Sequence, residues 1–302
     1  MFIRQLKYLV ALDQEKHFGR AASKCHVSQP GLSGAIRSIE NELGMVIVQR
    51  GRRFQGFTSD GERVLAWARR VLEDCDALRQ EASAASGGPS GVLRIGVIPA
   101  VVPLVTPFLQ YCLKHYPGIT HRLHTLSATE ILRKLVNFEL DVGITYLDAE
   151  SLEAFEKRSL CRETYVLVCG PHESMEGKQS VSWRHAAELP LVLFTDNMQC
   201  RTGIDRAFAA AGASPKPVVE ADSITAILAL VASAGLYSVL PNSVASMEHA
   251  IGQFRFLPML PENHRDIGLV LVKQRHQSPL LQVALNAMSE SISGSTPLER
   301  RP

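Results

Sequence analysis

Along the first ninety residues the hydrophobic positions keep a helical period. Beyond them the pattern shortens to buried strands alternating with helices. The sharpest case is 28–43, where Leu32, Ile36, Ile39 and Leu43 recur at steps of four, three and four. On a helical wheel they fall within about 60° of one another and form one core stripe. Pro30, Gly34, Arg37 and Asn41 lie opposite, with Ser33 on the flank. Ser28 is placed as the N-cap, and Pro30 is acceptable in a first turn that needs no intrahelical donor. Phe18, Ala21, Ala22 and Val27 supply a shorter preceding helix and turn.

Two helices joined by a tight turn predict a helix-turn-helix, whose second helix enters a major groove by its N-terminal end. Gln29 and Ser33 then reach base edges, and Arg37 meets a base edge or a phosphate. An amphipathic surface helix would carry the same stripe, so the next segment matters. VIVQRGRRFQGFTSDG reads as two short strands around Arg50, Gly51, Arg52 and Arg53. Three arginines on such a tip make a wing that grips backbone phosphates.

Ser59 to Glu62 has the form of a capping box, with Thr58 as a rival N-cap. Val64, Ala68, Val71, Cys75, Leu78 and Ala82 then alternate at steps of four and three, a heptad seam suited to pairing with another helix. Arg69, Arg70, Glu73, Asp74 and Arg79 are expected to keep the other faces solvated. An intramolecular partner for the seam is the alternative. SGGPSG at 86–91 breaks the helix and marks a hinge.

Beyond the hinge, strands are expected at 92–98, 121–127, 141–146, 164–170, 190–195, 217–221, 236–240, 254–258 and 266–273. Helices fit 103–115, 128–138, 201–212, 223–234, 241–250 and 278–292. The opening strand-helix alternation implies a parallel sheet with ligands at the carboxyl ends of its strands.

Composition changes this picture in two places. The 302-residue chain is 46% hydrophobic and 21% charged, enough for a sizeable core in about two domains. Its net charge of +2 hides an asymmetry: residues 1–70 carry a net +6 and the remainder a net −4. A basic front end on a mildly acidic body points the front end at a polyanion. No secretory signal pattern or membrane-length apolar run is evident, so a cytoplasmic protein is expected. The six cysteines show no C-x-x-C spacing and no attendant His cluster, so neither a metal site nor a disulfide framework is expected.

The segment from Phe2 to Leu78 closely resembles the N-terminal part of LysR-type transcriptional regulators. Its landmarks are RQLKYLVAL, FGRAA, HVSQPGLS, IRSIENELG and the T-x-x-G that opens the long helix, some 75 residues in register. Gly31 and Gly34 stand where many members have larger residues, and FQGFTSDG is less regular than the usual L-T-x-A-G. The resemblance implies an N-terminal all-α winged helix-turn-helix (1–58) and a linker helix (59–86) through which two copies dimerise. A hinge (87–91) then leads to an α/β effector-binding domain (92–302), similar in fold to periplasmic solute-binding proteins. Its landmarks, LRIGVIPA, YPGI, DVGI and GLYSVLP, match more loosely. Two subdomains are implied, one of about 92–163 with 266–302 and one of about 164–265.

DNA contacts are therefore expected from Ser28, Gln29, Pro30, Ser33, Arg37, Arg50, Arg52, Arg53 and Thr58. The partners implied are double-stranded promoter DNA, a second copy in a homodimer or homotetramer, a small polar or anionic effector, and RNA polymerase. No cofactor is implied. Strand-to-helix handovers put the effector cleft at Pro99, Ala100 and Val101, at Ser127 and Thr129, and at Thr145 and Tyr146. Thr195, Gln199 and Arg201 surround the next handover, and Asp222 and Ser223 open the helix at 223. Helix N-termini favour anions, and the Ser127, Thr129 and Ser223 hydroxyls suit a carboxylate, although each also suits an N-cap. Many relatives carry Ser or Thr near Ala100, so this cleft is more apolar than most.

Other classes fit less well. An enzyme lacks the nucleotide, zinc-protease and hydrolase motifs. A free solute-binding protein would leave the first 86 residues without a use. A redox trigger at Cys200 is the remaining alternative, because Arg201 beside it would favour a thiolate. In a peroxide-sensing branch of the family two cysteines lie close together in this region, whereas here Cys169 is 31 residues from Cys200.

Overall fold

A computed structural model of the chain describes residues 1–49, 51, 54–170, 175, 177–247, 254–273 and 277–293. They divide into two compact units, split near Gly87 and Gly88, with the short stretch Val136–Glu139 grouped with the first.

The N-terminal unit holds α1 (Ile3–Glu15), α2 (Phe18–Lys24), α3 (Gln29–Leu43) and the long α4 (Ser59–Gly87). Its core joins Leu9 and Leu12 of α1, Ala21 and Ala22 of α2, Leu32, Ile36 and Ile39 of α3, and Leu65 of α4. Each residue comes from the apolar stripe of its own helix, so periodicity sets the packing. Between α3 and α4 the chain turns through a minimal hairpin. Val48 bridges Phe57, and the Gln49 and Thr58 amides donate to the Gly56 and Ile47 carbonyls at 3.0 and 2.9 Å. Two full strands do not form among the described residues; one antiparallel bridge does. Phe54 stacks edge-on against both Phe18 and Phe57 and seats the hairpin on α2.

The second unit carries two sheets. The first, in the order β2-β1-β3-β11-β4, comprises β1 (Gly91–Val97), β2 (Ile119–Thr125), β3 (Val142–Tyr146), β4 (Phe155–Glu163) and β11 (Arg265–Val272). The second, in the order β6-β10-β5-β9, comprises β5 (Tyr165–Cys169), β6 (Val181–Ser182), β9 (Ser238–Pro241) and β10 (Arg255–Leu260). A parallel pair, β7 (Val192–Phe194) and β8 (Val219–Ala221), adjoins it through a bridge between Leu191 and Tyr237.

The chain passes from the first sheet to the second at β4 to β5 and returns at β10 to β11. The first sheet is mixed rather than wholly parallel, since β11 runs antiparallel to both β3 and β4. β4 is also a strand that the hydrophobic pattern did not announce: Lys157, Ser159 and Arg162 are exposed, and its few apolar residues, Phe155, Leu160 and Cys161, do not alternate. In place of a helix over 241–250, Asn242–Met247 form a 3-10 turn, and 248–250 lie outside the described residues.

Among the described residues six helices pack on these sheets: α5 (Val102–His115), α6 (Ala128–Val136), α7 (Trp183–Ala187), α8 (Gln199–Ala210), α9 (Ile224–Ala234) and α10 (Pro279–Ser293). Ile131 of α6 lies so near β3 that a Cβ on Gly143 would come within 2.5 Å of its side chain. That close seat sets the N-terminus of α6 over the carboxyl ends of β1 and β3.

Candidate nucleic-acid interface and effector cleft

In α3 the Ser28 hydroxyl caps the helix by accepting from the Gly31 amide at 3.2 Å, and Gly44 ends it in the left-handed conformation. Leu32, Ile36 and Ile39 are buried, while Gln29, Pro30, Gly34, Arg37 and Asn41 are exposed and Ser33 is half-buried. One edge of the helix is thus free for a partner, and it carries a cation and an amide. Buried Glu40 accepts from the Ile47 and Val48 amides at 2.8 and 3.1 Å and ties α3 to the hairpin. Arg50, Arg52 and Arg53 lie outside the described residues.

Thr58 proves to be a structural residue. Its hydroxyl accepts from the Gly61 amide at 2.9 Å and donates to the Val46 carbonyl at 2.7 Å, so it, and not Ser59, caps α4. That hydroxyl is thus engaged at the junction, where it holds the hairpin against α4. Gly61 is required by the same junction: a Cβ there would lie 2.1 Å from the Ile47 carbonyl oxygen.

The expected seam on α4 also needs correction. Ala68 is buried at 2% exposure and Val64 packs against the core of its own unit, because the first turns of α4 cover α1. Arg69, expected in solvent, is buried and paired with Asp13 of α1. The apolar residues left uncovered are Trp67, Val71 and Leu78, with Ala82 beyond and Cys75 half-buried. Trp67, Val71, Leu78 and Ala82 lie within about 60° on the wheel, so the open stripe is rotated from the predicted one.

In the second unit a cavity of about 450 Å³ opens where β1 and β3 hand over to helices and the N-terminus of α8 faces them. Of the residues expected there, Pro99, Ala100, Ser127, Thr129 and Gln199 line it together. Thr145 stands just behind, donating to Gln199 Oε1 at 3.2 Å, and so fixes the amide that faces the cavity. Val101 is buried in the core, and Tyr146 is buried with its hydroxyl donating to Glu163 at 2.7 Å. Thr195 donates to Asn197 Oδ1 at 2.7 Å.

Arg201 turns away from the cavity to clamp Asp205, Glu220 and the Phe194 carbonyl at 2.8, 2.6 and 2.6 Å. Asp222 and Ser223, at the start of α9, do not line the cavity. Ser151, Asn197, Met198 and Thr202 do, and pattern reading missed them. The first lies in the loop after β3 and the others follow β7, so the handover rule extended by a few residues would have reached all four.

Cys200 also lines the cavity, in the first turn of α8 rather than in a loop. Burial, and then the charge of Glu163, push its thiol far above the usual range. The neighbouring Arg201 does not favour a thiolate here, because its guanidinium is committed to carboxylates. Glu163 itself is raised to about 7 by burial, against hydrogen bonds from Tyr146 and Ser243 that lower it. Among the described residues, no three His, Cys, Asp or Glu side chains gather as a metal site, and no helix is long and apolar enough to cross a membrane.

A capped recognition-type helix with a hairpin beside it, followed by a two-sheet unit with a cleft, defines a DNA-binding regulator with a separate input domain. Residues 3–62 match the family model of the bacterial regulatory helix-turn-helix protein, lysR family, and residues 86–293 match the LysR substrate binding domain. The chain belongs to the LysR family of transcriptional regulators.

Among curated relatives it is 34% identical over 282 residues to the DNA-binding transcriptional dual regulator OxyR of Escherichia coli, covering 93% of this chain and 91% of that protein. It is 32% identical over 291 residues to the hydrogen peroxide-inducible genes activator of Haemophilus influenzae, covering 93% and 92%. A full-length OxyR variant from Pseudomonas aeruginosa superposes with a TM-score of 0.77 at 27% identity, covering 98% of this chain and 96% of that one. The fold is shared with CbnR in complex with its target DNA, at a TM-score of 0.67 and 24% identity, covering 96% and 100%.

Proposed function

We propose that this regulator works in the cytoplasm as a homodimer paired through the open stripe of α4. Each copy places the exposed edge of α3 in a major groove of promoter DNA, and a small molecule bound in the cleft of the second unit sets the output. The observation that carries the reading is the division of α3. Three apolar side chains are spent on its own core, while Gln29, Pro30 and Arg37 remain on the surface. The wing arginines add phosphate contacts, pairs of dimers occupy longer operators, and the changed spacing of bound DNA alters recruitment of RNA polymerase. Effector control requires only that the ligand bind the alternative arrangements with different affinity.

Fluorescence anisotropy with the promoter fragment of the adjoining transcription unit tests this directly. Arg37→Ala should weaken specific binding by about 1–3 kcal/mol and relax selection at one base pair. Unchanged affinity and unchanged selection would remove α3 from the interface.

A second reading is favoured by one observation: Cys200 lines the cleft of a chain whose relatives include peroxide-inducible activators. In that version oxidation of the thiol replaces the ligand as trigger. Hydrogen peroxide added to the wild-type and Cys200→Ser proteins before the same binding assay separates the two. A response present in the first and lost in the second selects oxidation, and identical behaviour of both selects the ligand.

A further inference from the structure

The cleft was expected to take an anion, yet its charges are arranged against one. The amide and hydroxyl of Ser127, at the mouth of α6, both donate to the Glu130 carboxylate, at 3.1 and 2.7 Å. These hydrogen bonds lower the Glu130 pKa, so the helix N-terminus that would attract a ligand anion already holds a fixed one. The two arginines nearest the cavity are likewise committed. Arg201 is clamped by Asp205 and Glu220, and Arg265 grips Asp148 through two nitrogens, at 3.0 and 2.6 Å, while holding the Gln199 carbonyl at 2.9 Å. Beneath the floor, Ser243 donates to Glu163 and also contacts the Ala100 carbonyl, which places a further carboxyl under the wall. Among the described lining residues none is cationic, and the polar ones are hydroxyls and amides: Thr129, Ser151, Asn197, Gln199 and Thr202.

We infer that the molecule recognised in this cleft is uncharged, with carbonyl or hydroxyl groups on a partly apolar frame. The inference rests on the cleft being the input site and adds the chemical class of what enters it. Neutral donors and acceptors match such groups one for one. An anion would lose its hydration against Glu130 with no cation to replace it. Ile98, Pro99, Ala100 and Met198 supply the apolar wall.

A cysteine introduced by Ser151→Cys, at an exposed position of the lining, makes the cleft its own reporter. The full-length protein is treated at pH 8.5 with iodoacetamide or iodoacetate, reagents of equal size that differ by one negative charge. Peptide mass spectrometry follows alkylation at the introduced cysteine, and each rate is divided by the rate for the same cysteine in guanidinium. The neutral reagent should be favoured by about fivefold to tenfold after that correction. Glu130→Gln, which keeps the capping box and removes the charge, should raise the iodoacetate rate about threefold and leave iodoacetamide unchanged.

Equal normalised rates, faster reaction with iodoacetate, or no alkylation by either reagent overturns the inference, and so does an iodoacetate rate indifferent to Glu130→Gln. The underlying reading has a separate readout in the DNA affinity of the carboxamidomethylated protein. If charge selection holds while DNA binding is unmoved by the filled cleft, the ligand class stands for the cavity and the cavity fails as the input site.

Discussion

Tyr146 donates a 2.7 Å hydrogen bond to Glu163 where the chain crosses between its two sheets, and neither side chain reaches solvent. Glu163 is the last residue of β4, and in the strand register it faces Arg265, the first residue of β11. A carboxyl group therefore sits between the two strands that connect the halves of the input domain. Burial holds it at about 7, whereas an unfolded glutamate titrates near 4.5.

Between those values the folded chain retains a proton that the unfolded chain has released. This group therefore makes stability fall as pH rises from about 4.5 to about 7, with no further loss above. A shift of this size corresponds to on the order of 3 kcal/mol. Glu163→Gln cannot ionise and keeps an acceptor for Tyr146. Its melting temperature should match wild type near pH 5 and exceed it at pH 8. An offset that does not grow with pH would show that the carboxyl titrates in the folded protein as it does in the unfolded chain.

The junction between the hairpin and α4 predicts a local stability effect. Thr58 both caps the helix and holds the Val46 carbonyl, so Thr58→Ala should cost about 1–2 kcal/mol in urea unfolding of the full chain. Thr58→Ser keeps the hydroxyl and should recover most of that loss. Unchanged stability in Thr58→Ala would show that the hydroxyl does not hold the junction.

How much of this was legible depends on whether a residue's role is local. The stripe of Leu32, Ile36 and Ile39 and the cap at Ser28 are set by neighbours within one helix, and the pattern alone announces them. The seam on α4 was misplaced because heptad spacing names a buried face without naming its partner, and Ala68 is already buried within the single chain. Arg201 shows the same limit. A cation beside a strand-to-helix handover suits a ligand equally well, and only the positions of Asp205 and Glu220 decide otherwise. β4 escaped notice because its outward face is charged, leaving too few apolar positions to register. Glu163 carried no local signal, since its burial depends on Tyr146 and Ser243, which are distant in sequence.

The pairing of α1 with α4 yields the next expectation. Arg69 is buried beside Asp13 and keeps only the longer contact to Glu139, at 3.8 Å, when Asp13 is removed, which leaves its charge weakly paired in a poorly solvated site. Asp13→Ala should therefore destabilise the protein by about 3 kcal/mol, more than Asp60→Ala, whose partner Arg63 is well exposed. Asp13→Ala combined with Arg69→Met should regain part of the loss, because the buried charge goes as well. Equal small costs for both single variants would place the Asp13 pair effectively in solvent.

Arg201 and Gln199 are neighbours in sequence with opposite expected phenotypes. Arg201 fastens α8 to β7 and β8 through the Phe194 carbonyl and the Glu220 carboxylate, pairs with Asp205 on its own helix, and leaves the cavity untouched. Arg201→Leu should cost about 2 kcal/mol of stability, since hydrogen bonds to charged groups are lost and both carboxylates are half-exposed and can rehydrate. The ligand concentration giving half-maximal response should stay at the wild-type value. Gln199→Leu removes the amide that Thr145 holds in the cleft and leaves the buried Thr145 hydroxyl without that acceptor, a cost of about 1–2 kcal/mol. Its melting temperature should fall no further than that of Arg201→Leu, while the response shifts to at least about tenfold higher ligand, as expected for a lost buried hydrogen bond to a neutral group. Thermal unfolding together with a reporter titration reads both quantities. A response shifted by Arg201→Leu and untouched by Gln199→Leu would put the ligand on the far side of α8 and out of this cleft.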